Sequence, residues 1–226
     1  MARPYVFIFS TATVDGKIAS HTGFSRLSCV EDFMLQHELR SRVDAVMVGS
    51  NTVLADNPRL TVRLARGRSP LRVVVDSRLR VSPGAKVFSG GRGVLVTTED
   101  HGDEELEAYR RAGAVIVRAG RGRVDLALAL EALYKLGVRR LMVEGGGGLN
   151  CALLSRGLVD EVLVTVAPYL FGSGVSLVDC RQPVFDGERV RVELSLIEYR
   201  LVCGSWVHFR YAVVNNHRLL DGRHGS

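Results

Sequence analysis

Glu144 ends an apolar run, Leu141-Met142-Val143, and four glycines follow it, Gly145, Gly146, Gly147 and Gly148. Leu149, Ala152, Leu153 and Leu154 then resume an apolar pattern with a helical period. The stretch reads as strand, tight turn and helix. Glycine lets a backbone come close to a ligand, and the first N–H groups of a helix have no partner inside it, so such a turn attracts phosphate. A glycine run alone names no particular nucleotide, and a flexible linker is its plain alternative. Glu144 could accept hydrogen bonds from hydroxyls or amines of a substrate, or could serve only as a carboxylate at the positive end of a helix.

Two further groups carry possible chemistry. Asp76-Ser77-Arg78 closes an apolar run. An acid alone there would suit a ribose 2′-hydroxyl, whereas Ser77 and Arg78 would suit a 2′-phosphate, because a guanidinium offers phosphate a fixed fork of donors. That leans toward NADP over NAD, with an exposed turn as the other reading. Thr52 and Asp56 lie one helical turn apart, and Pro58-Arg59-Leu60-Thr61-Val62-Arg63 follows. A loop with two arginines could grip a phosphate or could simply be solvated. There is no G-x-S-x-G and no G-x-x-x-x-G-K-[ST], and the glycines fall late in the chain rather than after the first strand, which disfavours an ordinary Rossmann dehydrogenase.

The elements that must position these groups alternate. Tyr5–Ala12, Ala45–Gly49, Leu71–Asp76, Gly93–Thr98, Ala114–Arg118, Arg140–Glu144 and Glu161–Ala167 read as strands, several of them continuous apolar runs that suit a parallel sheet covered on both faces. Asp15-Gly16 marks a turn. Ser28-Cys29-Val30-Glu31 fits a capping box and predicts a helix from Cys29 to about Arg42, with Val30, Phe33, Met34 and His37 on its inner face. Ser50–Leu54 begins a short helix that Asp56-Asn57-Pro58 breaks. Asp103–Arg111 is a charged helix. Leu126, Ala129, Leu130 and Leu133 form one face of another, stopped at Gly137. Gly120-Arg121-Gly122 is a turn. Val190–Leu201 and Ser205–Val213 read as an antiparallel hairpin about Cys203-Gly204. We expect a single α/β domain over residues 1–214 and a polar tail at 215–226, with ligands at the carboxyl ends of the strands.

The composition sets bounds. The 226 residues are 46% hydrophobic and 24% charged, as in an ordinary globular protein, with a net charge of +6. The arginines are spread rather than gathered with aromatics, which speaks against nucleic acid. No apolar run approaches the roughly 18 residues of a membrane span, and a cytoplasmic location is expected. Cys29, Cys151, Cys180 and Cys203 form no C-x-x-C pair and meet no H-x-E motif, which argues against a structural metal or a zinc deaminase. They are expected to be plain buried or half-buried residues.

Taken together, several segments resemble a known family. They are Thr13–Ala19 (T-V-D-G-K-I-A), Ser25–Ser28, Val48–Arg63, Val74–Ser77, Glu144–Gly147 with Leu149-Asn150, and Gly157–Glu161 before Ala167-Pro168, all in the family's order. The chain is similar, over about residues 4–212, to the pyrimidine reductases of riboflavin biosynthesis, above all to their stand-alone archaeal type. The resemblance implies an α/β, dihydrofolate-reductase-like fold: a central, mostly parallel mixed sheet flanked by helices, with the C-terminal hairpin. It implies a homodimer that uses NADPH, with NADH possible, to reduce 2,5-diamino-6-(ribosylamino)-4(3H)-pyrimidinone 5′-phosphate. By the family's pattern Thr52, Asp56, Asp76, Ser77, Arg78, Gly120, Gly122 and Gly145, Gly146, Gly147 and Gly148 would contact the cofactor. Ser25, Arg40, Leu60, Arg63 and Glu144 would face the substrate, with Arg63 and Arg40 on its phosphate. Asn57 departs from an aspartate common in the family, and Gly148 from a small hydroxyl residue. For the proton that accompanies hydride transfer, Asp15 and Glu144 are the candidates, with bulk water as the alternative. The alternatives in function are a reductase of the deaminated pyrimidine or of a pterin, and a non-catalytic nucleotide-binding protein.

Overall fold

Alternate residues of the apolar runs face opposite ways, and both directions are covered. In the computed structural model, which describes residues 2–180 and 192–214, Val6 and Ile8 enter one core and Phe7 and Phe9 the other. The runs have no polar face because neither face meets water.

The elements follow in chain order as β1 (Tyr5–Thr13), β2 (Lys17–Ser20), α1 (Val30–Ser41), β3 (Ala45–Gly49), α2 (Ser50–Asp56), β4 (Leu71–Val75), β5 (Gly93–Thr97) and α3 (Asp103–Arg111). Then come β6 (Val115–Arg118), α4 (Leu126–Lys135), β7 (Arg140–Val143), α5 (Gly147–Leu154), β8 (Glu161–Ala167), β9 (Gly174–Ser176), β10 (Glu193–Val202) and β11 (Trp206–Val214). The main sheet runs β10-β11-β8-β1-β7-β3-β4-β5-β6. The pairs from β8 to β6 are parallel, and only the β10–β11 hairpin and its join to β8 are antiparallel. Leu130 and Leu133 of α4 and Leu153 of α5 pack on one face of this sheet. Leu106 and Tyr109 of α3, with Leu35 and Leu39 of α1, pack on the other. The parallel strands bring Glu144, Gly49, Asp76 and Thr98 to one edge, just past or at their carboxyl ends.

Several expectations need correction. The pair β2–β9 has no sequence signal of its own and is not among the expected strands. Helix α1 starts at Val30, and its N-cap Cys29 makes no side-chain capping bond. The Ser28 hydroxyl lies 2.8 Å from Thr11 Oγ1 instead of capping the helix. The helix also turns a different face inward. Of the expected face His37 is buried, but Val30 is 74% exposed, Met34 44% and Phe33 37%, and Asp32 and Arg40 are buried instead. Buried charges and hydroxyls need partners, and those partners lie on the sheet: Thr11 and Thr165 both donate to the Asp32 carboxylate. All four cysteines are paired, Cys29 with Cys203 and Cys151 with Cys180. They are therefore not the plain thiols expected. Val190 and the tail at 215–226 lie outside the described residues.

Candidate active site

Glu144 follows β7 at the carboxyl edge of the sheet, and its backbone N–H donates to Met47 O of β3. Its carboxylate is met by α1. Arg40 donates from Nε to Oε1 and from a terminal nitrogen to Oε2, both at 2.6 Å, and Gln36 Nε2 donates to Oε2 at 3.1 Å. Gln36 and Arg40 are four residues apart, so one helix face supplies both. The Arg40 and Glu144 side chains are each only 7% exposed. A carboxylate has about four lone-pair positions, so three donors leave room for one more. Arg40 spends a third N–H on Thr61 O, at 3.2 Å. Its first task is thus to hold Glu144 and the Thr61 backbone, rather than to offer a free charge to phosphate as expected.

Beside this pair lies a cavity of about 250 Å³, lined by Phe33, Arg40, Asp56, Arg59, Leu60, Arg63 and Lys86 among others. The Thr52–Arg63 segment forms its wall because α2 ends at Asn57 in a left-handed turn (φ 41°) and Leu60 adopts φ 51°. Burial raises the Asp56 carboxyl above the usual carboxylate range. Arg59, the other arginine of the loop, lines the cavity with Arg63, and Lys86 adds positive charge that the sequence did not single out. Lys86 is brought in because its N–H donates to Asn57 Oδ1 at 2.9 Å, a contact across 29 residues with no local signature.

The glycine turn lies next to Thr52: a Cβ on Gly146 would sit 3.3 Å from Thr52 Oγ1. Gly145 has φ +86°, a conformation that side chains rarely adopt. Helix α5 has no side-chain cap, and the space around Gly148 is open. Gly147 is different. A Cβ there would collide with Ser176 O and crowd Asp179, so its lack of a side chain admits the chain's own 176–179 segment. That segment is held by Asp179 N–H to Gly147 O at 3.1 Å and by Asn150 Nδ2 to Leu177 O at 2.9 Å.

Other expected residues divide. Asp76 is buried, and its two carboxylate oxygens accept from the Arg78 and Val81 N–H groups. It shapes a turn, and it is 1% exposed, so burial rather than exposure governs what it can meet. Ser77 accepts from Val124 N–H at 3.0 Å, which sets the Asp76–Arg78 corner beside the Gly120–Gly122 turn. Gly120 (φ +77°) and Gly122 (φ +64°) both need their positive φ, but the Gly122 N–H is taken by Asp100 at 2.6 Å. Arg78 is exposed, with no side-chain partner among the described residues. Ser25 is exposed and Leu60 buried. Asp15 is corrected as a proton donor. Thr13 Oγ1 and the N–H groups of Phe171 and Gly172 all donate to its carboxylate, holding its pKa down to about 2. At neutral pH such a group has almost no proton to give.

The sequence itself then decides the kinship: the family model for the RibD C-terminal domain matches residues 4–206. The chain belongs to that family. Within it, the chain is 45% identical over 198 residues to the 2,5-diamino-6-ribosylamino-4(3H)-pyrimidinone 5′-phosphate reductase of Methanothermobacter thermautotrophicus, covering 85% of this chain and 92% of that protein. It is 42% identical over 197 residues to the protein of that name from Archaeoglobus fulgidus, covering 82% and 88%. Among solved structures, a Thermotoga maritima diaminohydroxyphosphoribosylaminopyrimidine deaminase/5-amino-6-(5-phosphoribosylamino)uracil reductase superposes with a TM-score of 0.74 at 26% identity, covering 94% of this chain and 57% of that one. The RibD C-terminal family's expected fold is thus borne out, a dihydrofolate-reductase-like α/β sheet with its C-terminal hairpin.

Proposed function

We propose that the protein reduces 2,5-diamino-6-(ribosylamino)-4(3H)-pyrimidinone 5′-phosphate to its ribitylamino product with NADPH. The observation that carries this reading is the buried Glu144–Arg40 pair set between the glycine turn and a cavity walled by Arg59, Arg63 and Lys86. Such a site offers a cradle for one phosphate group, a carboxylate with a free lone pair at the centre, and cations for a second phosphate.

The residues present fit the cofactor. Uncapped α5, open space at Gly148 and the hydroxyl of Thr52 would take its pyrophosphate, and Arg78 its 2′-phosphate. When bound, NADPH supplies hydride to C1′ of the ring-opened substrate imine. The protein's part is to bind and orient. Arg63, with Arg59 and Lys86 nearby, would hold the 5′-phosphate. Glu144, fixed by Arg40 and Gln36, would accept a hydrogen bond from a substrate amine or hydroxyl. With Asp15 held ionised, the proton for the substrate nitrogen is assigned to water.

The proposal includes a homodimer. Strand β10 lies at the sheet edge, and Leu194, Leu196, Ile197, Tyr199 and Leu201 are 42–68% exposed on its two faces. A second copy, related by a two-fold axis, would cover them. A monomer in sedimentation at micromolar concentration would refute it. Among the described residues no helix is long and apolar enough to cross a membrane. A cytoplasmic location, also part of the proposal, requires both disulfides to persist against the thiol pool. Oxidation of NADPH that depends on the ribosylaminopyrimidine phosphate tests the central reading, and none at any substrate concentration would overturn it.

A further inference from the structure

His37 has no part in the chemistry above, yet it is fully buried within α1 behind the cavity wall. Its Nδ1 accepts the backbone N–H of Arg63 at 3.0 Å. An imidazole nitrogen that accepts a hydrogen bond carries no proton, so the ring is neutral with its proton on Nε2. That Nε2 is buried and has no hydrogen-bond partner among the described residues. The ring meets Phe33 edge to face, with centroids 5.0 Å apart, and Phe33 itself lines the cavity. Each residue from Thr61 to Arg63 is anchored once: Thr61 O by Arg40, Val62 N–H by Ser69 Oγ, and Arg63 N–H by His37. The Arg63 side chain is exposed, so its backbone anchor sets the point from which the guanidinium reaches toward the cavity.

We propose that neutral His37 is the positioning residue that fixes Arg63 for the substrate's phosphate. This rests on the reading of Arg63 as a phosphate contact. Protonation and this hold exclude each other, because a proton on Nδ1 would face the Arg63 N–H donor to donor. The charges around the ring act in the same direction. Burial and the Arg40 and Arg63 guanidinium groups hold the imidazole below the ordinary histidine value, and Glu144 opposes them. As pH falls through that lowered value, the ring takes up a proton, the anchor is lost, and substrate KM rises.

Steady-state kinetics with purified full-length protein test this, using His37→Leu, His37→Asn and Arg63→Ala. Asparagine can place an acceptor oxygen where Nδ1 stands, and leucine cannot. In H37L, substrate KM is expected to rise about fivefold, the net worth of one neutral hydrogen bond, with kcat and the NADPH KM within about twofold. H37N is expected to restore KM and to lack the wild-type rise in KM at acid pH, because an amide does not titrate there. Equal losses in both variants, a fall in kcat alone, or an H37N acid limb like the wild type's would overturn the inference. If H37L does not fold, the acid limb of H37N decides. R63A separates the two readings. An unchanged KM in R63A removes the phosphate role of Arg63 itself. A raised KM in R63A beside an unchanged one in H37L removes only the role of His37.

Discussion

At the scale of single residues, the site depends on one buried ion pair. Glu144 and Arg40 are held out of water, so removing one partner leaves the other charge buried and unpaired. We expect Glu144→Leu to cost on the order of 3–5 kcal/mol of stability, and the double variant R40M/E144L to recover most of it. Denaturant unfolding would show this, and a double variant less stable than E144L would contradict it. Arg78 makes a separate claim. If its guanidinium meets the 2′-phosphate, Arg78→Ala should weaken NADPH by roughly tenfold or more and leave NADH nearly unchanged, since a charge-assisted contact contributes about 1.5–3 kcal/mol. Calorimetric titration of both nucleotides reads the difference, and equal losses would rule out that role. The sequence showed these residue types but not their duties. Asp76 reads as a ribose ligand until it is seen to be buried and to accept the Arg78 and Val81 N–H groups of its own turn. Asp15 reads as an acid until three donors are seen to hold it ionised.

At the scale of elements, legibility followed burial on two faces. Strands such as β3 and β7 are apolar at nearly every position, and no other reading fits them. Helix α1 misled because its inward face is polar: Asp32, Gln36 and Arg40 repeat every four residues. That spacing was there to be read, but an apolar criterion looks past it. The β2–β9 pair was invisible because Lys17 and Ser176 meet only through the tertiary fold. Its partner segment explains one glycine of the turn. We expect Gly147→Ala to cost about 1–3 kcal/mol, as forced overpacking does, and to impair NADPH binding by displacing residues 176–179. Gly148→Ala, with open space around it, should leave thermal stability close to the wild type. Thermal melts of both variants check the contrast, and equal tolerance would mean that residues 176–179 do not pack against the turn.

At the scale of the molecule, the two disulfides tie elements that flank the site. Cys29–Cys203 joins the start of α1 to the β10–β11 turn across 174 residues, and Cys151–Cys180 joins α5 to the segment beside Gly147 across 29. Neither pairing could be deduced from the sequence, because four cysteines allow three connectivities and their geometry comes only with the fold. Closing loops of this length contributes on the order of 3–5 kcal/mol each, so a strong thiol reductant should lower the melting temperature by roughly 20 °C. An unchanged melting temperature after complete reduction would deny them that role. All of these contacts serve one proposed reaction, and turnover judges it most directly. NADPH oxidation should be followed with the diamino-pyrimidinone phosphate and its deaminated counterpart side by side under identical conditions. We expect turnover with both components present and a kcat/KM for the diamino substrate about tenfold or more above that for the deaminated one, the discrimination available to one well-placed hydrogen-bonding group. No oxidation with either substrate, or a clear preference for the deaminated one, would contradict the assignment.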